Sequence, residues 1–96
     1  MANLLGGIEI DIITDLTKLP QRIATAQAEL ETTELCGASY KALIYLGKQV
    51  VRGMNYYFIA EETLSTATPE KHIVLIAVNE FKEEYEIVKS SVIRIL

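Results

Sequence analysis

One cysteine, one histidine and thirteen carboxylates are the side chains of this 96-residue chain to weigh first for covalent or metal chemistry. Cys36 with His72 and Asn79 has the residue types of a thiol nucleophile, its base and an orienting amide. No local motif joins them, and a lone cysteine is most simply a small buried hydrophobe. Glu61-Glu62 and Glu83-Glu84 are adjacent pairs. An acid–base dyad needs its two groups in distinct environments, so these read as solvated charge. A single cysteine excludes an internal disulfide and a multi-cysteine zinc site, and a single histidine excludes most histidine-based metal centres. No phosphate loop is present. Enzymatic chemistry ranks last, with no cofactor and no metal expected.

Charge narrows the partners. Nine basic residues against thirteen acidic ones leave −4, with no basic run and no aromatic residues interleaved with one. Nucleic-acid binding and membrane-surface binding are therefore disfavoured. The first seven residues, Met-Ala-Asn-Leu-Leu-Gly-Gly, lack the charged and apolar regions of a signal peptide. The apolar run Ile73 to Val78 is too short to span a bilayer. With one cysteine, a reducing, cytoplasmic compartment is expected.

Half of the residues are hydrophobic, and the length suits one domain, 1–96, with a thin core. Ile8 to Ile13 alternates apolar and acidic residues, the period of a half-buried strand. Leu16, Leu19, Ile23, Ala26 and Leu30 fall at steps of three and four, which makes one helical stripe. A helix from about Thr17 to Leu35 is expected, with Pro20 in its first turn and Gly37 as its stop. Tyr40, Ala42, Ile44 and Leu46 then share one face of an extended segment. Gly47 to Gly53 interrupts it, and Met54 to Glu62 is aromatic-rich and extended. The two make a long hairpin with its tip near Val50 to Gly53. Lys71 to Val78 reads as a mid-sheet strand, Asn79 to Glu84 as a connection and Tyr85 to Leu96 as a last strand. The expected architecture is α+β, an antiparallel sheet wrapped around a single amphipathic helix.

The hairpin tip carries the one specific motif. Gln49-Val50-Val51-Arg52-Gly53 matches the Q-x-V-x-G pattern of the cystatin superfamily, and Met54-Asn55-Tyr56-Tyr57-Phe58-Ile59 resembles the strand that follows it in the stefins. Gly6-Gly7 lies about forty residues upstream, where stefins keep their N-terminal glycine, and the helical stripe lies between. Two features depart from the pattern. Arg52 stands where stefins usually place a small residue, and Asn79 to Glu84 lacks the Leu-Pro or Pro-Trp pair of the second hairpin loop.

The resemblance implies a cystatin-like domain that inhibits papain-like cysteine proteases reversibly, by plugging the active-site cleft with three edge segments. Leu4, Leu5, Gly6 and Gly7 would form the first, an extended trunk that passes the catalytic thiol where Gly7 has no Cβ. Gln49, Val50, Val51, Arg52 and Gly53 would form the second, and Phe81 the third. A non-inhibitory interaction module, or a homodimer that swaps strands by opening at the Gln49–Gly53 hairpin, is the alternative.

Overall fold

The computed structural model describes residues 4–5, 7–35, 37–68 and 70–93. Alternation at Ile8–Ile13 produces strand β2, and a two-residue strand β1 (Leu4–Leu5) folds back against its first half. Asp15 then caps a 3₁₀ turn at Leu16–Lys18, accepting hydrogen bonds from the Thr17 amide at 3.1 Å and the Thr17 hydroxyl at 2.6 Å.

Helix α1 (Gln21–Thr32) is shorter than the apolar stripe suggested. Its start is set by Pro20, whose ring disfavours helical geometry at the residue before it. Leu19 is accordingly extended (φ −70°, ψ 141°), and Pro20 is the N-cap rather than a first-turn residue. The stripe survives the break, because Leu16 and Leu19 pack against the same core that Ile23, Ala26 and Leu30 enter. At the other end the amide and the hydroxyl of Thr33 both donate to the Glu29 carbonyl. Glu34–Leu35 is not helical but forms a short strand, β3, paired with Ser39 and Ala38. Gly37 (φ +78°) therefore turns a tight hairpin instead of ending the helix.

Four long strands follow: β4 (Ala38–Val51), β5 (Gly53–Leu64), β6 (Glu70–Phe81) and β7 (Glu84–Ile93). The antiparallel sheet runs in the order β1-β2-β4-β5-β6-β7, with β3 pairing on β4. This is α+β, with the sheet's long strands packed on one helix, as expected. The apolar run of β6 does lie mid-sheet, between β5 and β7.

The inner face of β4 differs from simple alternation. Register slips between Ala42 and Ile44 and again between Tyr45 and Gly47 insert one residue each. Each slip exchanges the two faces. Tyr40 and Ala42 point to the core, then Tyr45 does, while Ile44 and Leu46 are only half-buried. Gly47 does not end the strand. A Cβ there would lie 2.2 Å from the Glu9 carbonyl oxygen, so only glycine lets β2 approach this closely.

Helix and sheet meet over Ile23, Ala26, Leu30, Tyr45, Phe58, Val74, Ile76 and Val78, all buried. Alanines at 26, 42 and 60 let the helix lie close to the strands. Tyr45 meets Phe58 edge-to-face, with ring centroids 5.5 Å apart. Burying a side chain such as Phe58 contributes about 1.5–3 kcal/mol.

Candidate functional site: three turns at one end of the sheet

Sheet register carries three turns to one end. Ile8 pairs with Gln49, Gln49 with Asn55, Asn55 with Asn79 and Asn79 with Glu86. The turn at Gly7, the β4–β5 tip at Arg52 and the β6–β7 turn at Lys82-Glu83 all lie just beyond this row. Gly7, Gln49, Val50, Val51, Arg52, Gly53 and Phe81 are thus brought together at one edge.

The trunk is placed differently from the expectation. Gly7 has φ +87°, so the chain turns there, and β1 runs back along β2 with Leu4 beside Glu9 and Leu5 beside Ile8. Leu4 and Leu5 flank the sheet and do not project past its end. Gly6 lies outside the described residues, as does Cys36. Gly7 itself sits against the motif, since a Cβ on it would lie 3.3 Å from Gln49 Nε2.

The central tip is narrow and apolar. Val51 pairs with Gly53 across Arg52 alone. Val50 is 75% exposed and Val51 42%. Behind them Tyr57 donates its hydroxyl to Gln49 Oε1 at 2.7 Å, which holds the motif's first residue in place. Gly53 (φ +84°) touches the neighbouring strand so closely that a Cβ would meet the Glu80 carbonyl oxygen at 2.1 Å.

The third turn is tighter than the six-residue connection expected over Asn79 to Glu84. Asn79, Glu80 and Phe81 belong to β6, and Phe81 pairs directly with Glu84. Only Lys82 (φ +52°) and Glu83 (φ +65°) lie between, both left-handed as a two-residue hairpin of this twist requires. The Glu83 amide donates to Glu80 Oε2 at 3.2 Å and helps to hold that geometry. Phe81 is half-buried beneath two cations, Arg52 at 4.8 Å and Lys82 at 5.3 Å from its ring centroid.

Two contacts were not readable from the motif. Asn79 Nδ2 donates to the Arg52 carbonyl at 3.3 Å and to Asn55 Oδ1 at 2.8 Å, so β6 steadies the tip of its neighbouring hairpin. An asparagine directly after the apolar run to Val78 was the available signal. On the helix side, Arg22 lies 3.8 Å from Glu80. Burial, then the charge of Glu80, pushes the Tyr56 and Tyr85 hydroxyls above the ordinary tyrosine range.

The thiol–imidazole–amide reading is not supported by placement. His72 and Asn79 sit seven residues apart on β6, about 23 Å at the rise of an extended strand. His72 instead lies at the far end, with Nδ1 3.5 Å from Glu62 Oε1 and Nε2 3.4 Å from Glu70 Oε2. Among the described residues no group of three His, Cys, Asp or Glu could hold a metal ion. No helix among them is long and apolar enough to cross a membrane. The edge as built exposes Val50 and Val51 just before a one-residue turn, with Arg52 at its apex.

Compared with known protein families, with curated proteins and with solved structures, the chain matches none.

Proposed function

We propose that the chain is a reversible protein inhibitor of papain-like cysteine proteases, with the three-turn edge as the wedge that fills the active-site cleft. The observation that carries this is convergence. The Gln49–Gly53 motif forms the tip of the middle hairpin, and Gly7 and Phe81 flank it from the neighbouring turns. Hairpins fixed by Tyr57, Asn79 and Glu80 lose little freedom on docking, which favours tight binding without a covalent bond. Standard inhibitor complexes bury about 1,600 Å² in total, a size a ridge of this kind can supply. A reducing, cytoplasmic setting accords with the single cysteine.

Titration of the purified chain against active-site-counted papain, following residual peptidase activity, tests this. Stoichiometric or submicromolar inhibition is expected. No inhibition at tens of micromolar would overturn the reading.

One observation favours a second reading, an interaction module without inhibitory activity. The trunk is turned back and paired with β2 instead of reaching past the edge. In a strand-swapped homodimer the Val51–Gly53 tip would straighten and the ridge would vanish. Light scattering across a concentration series separates these states, and a strict monomer throughout counts against swapping.

A further inference from the structure

Charge is distributed unevenly along the ridge. Between Gln49 and Met54 the one charged side chain is Arg52, in a chain whose net charge is −4. Its guanidinium rests 4.8 Å from the Phe81 ring centroid, and Lys82 from the adjacent turn stands 5.3 Å from the same ring. Among the described residues neither cation takes part in an ion pair. The nearby carboxylates are engaged elsewhere or apart. Glu80 is held by Arg22 and the Glu83 amide, and Glu86 lines the groove beside Arg52 without an ion pair to it. Glu83 in the third turn and Glu84 at the start of β7 are exposed.

An aromatic face attracts a guanidinium without neutralising it, and the fork of N–H donors stays available to a carboxylate. The backbone of Arg52 is fixed as well, through Asn79 to its carbonyl and through the close approach of Gly53 to Glu80. Phe81 therefore acts as a pedestal that presents unpaired positive charge at the front of an acidic molecule. We infer that the Arg52–Phe81–Lys82 cluster is a specificity element, which selects partners whose groove carries carboxylates at its rim. This rests on the inhibitor reading and adds to it the chemistry of the preferred target. Phe81 is a positioning residue in this scheme, and Arg52 is the contact residue.

The test is stopped-flow association with a papain-like protease that has rim carboxylates, and with the same protease after those carboxylates are changed to amides. The parent chain, Arg52→Ala, Arg52→Lys and Phe81→Leu are compared at low and high salt, with thermal melts as a folding control. Arg52→Ala should slow association about five- to tenfold at low salt against the acidic rim. The loss should shrink at high salt and disappear against the amide rim. Arg52→Lys should restore part of the rate, and Phe81→Leu should weaken the salt dependence while Arg52 is still present. If the parent inhibits but Arg52→Ala shows the same rates and salt slope, the specificity assignment is wrong and the inhibitor reading stands. If the parent inhibits neither protease, both fall together.

Discussion

The Tyr40 hydroxyl donates to Glu62 Oε2 at 2.9 Å, at a position where the acid is only 1% exposed. Glu62 is therefore not the solvated charge that the Glu61-Glu62 pair suggests, and so deep a carboxylate is tolerable because its oxygens are satisfied, with His72 Nδ1 3.5 Å from the other one. This cluster lies at the end of the sheet away from the ridge. It therefore separates stability from binding. Glu62→Ala should cost about 2–3 kcal/mol, because it removes the carboxylate that accepts from the Tyr40 hydroxyl and opens a void. Tyr40→Phe should cost about 1–3 kcal/mol, and the double variant less than the sum. Urea unfolding of the three variants checks this, and additive losses would show that the two groups do not act together.

Gly53→Ala should damage fold and function at once. A Cβ would overlap the Glu80 carbonyl, and the left-handed backbone costs a further ~1 kcal/mol for a residue other than glycine. The expected result is a lower melting temperature together with weaker protease inhibition. Unchanged melting would mean that the tip is not braced against β6.

The trunk should behave in the opposite way. Among the described residues of this segment, Leu4 and Leu5 contribute two register pairs with β2, so deletion of residues 1–6 is expected to cost little stability. Melting should shift by a few degrees at most, while inhibition weakens. Gly7→Arg should also weaken inhibition, since its side chain would enter the space between the first turn and Gln49. If both variants inhibit papain as well as the parent does, the wedge includes no contribution from this turn.

Alkaline pH provides a further check on the core. Burial, assisted by the charge of Asp11, holds the Tyr45 hydroxyl well above the ordinary tyrosine range. Tyr56 and Tyr85 are raised too, with burial the first cause in each. A folded-state value above the unfolded one means that the neutral phenols support the fold. That support is complete below about pH 10 and is lost as pH rises further. Absorbance at 295 nm and circular dichroism should therefore rise and fall together for part of the five tyrosines. All five titrating smoothly near pH 10 with unchanged dichroism would refute the burial argument.

Ile10 and Ile12 face solvent, at 50% and 60% exposure, on the sheet face that also carries Leu46, Tyr57 and Leu75. Ile12→Lys should leave stability within about 0.5 kcal/mol, as is usual for surface sites. It should also lower any concentration-dependent association, because a charge at an edge strand discourages pairing. Light scattering at high concentration decides, and increased association would contradict the expectation.

Period and punctuation in the chain made most of the architecture legible. The alternation of Ile8–Ile13 marked a strand, though not the buried face it implies, since Ile10 and Ile12 are exposed; the stripe through Ile23, Ala26 and Leu30 marked the helix, and Gly53 a turn. What stayed hidden depends on partners distant in sequence. Alternation puts Ile44 and Leu46 inside, yet two bulges in β4 exchange its faces and bring Tyr45 to the core. Leu19-Pro20 reads as the first turn of one helix, and the restriction that proline imposes on its predecessor divides the stripe there. At the ridge, the motif located Gln49 to Gly53 but not their supports. Asn79 and Phe81 act on the β4–β5 hairpin only because sheet register sets β6 beside it, and no local pattern encodes that.

The Ser65–Thr68 connection joins β5 to β6 at the pole opposite the ridge, where Ser65 donates its amide to the Gly37 carbonyl. Its residues are exposed and lie outside the strands. The molecule is thus directional, with the proposed contact ridge at one end and this loop at the other. A fluorophore, a resin tether or a fused domain placed at Thr66 or Ala67 would hold the ridge outward, which makes this short loop the natural handle for an immobilised form of the protein.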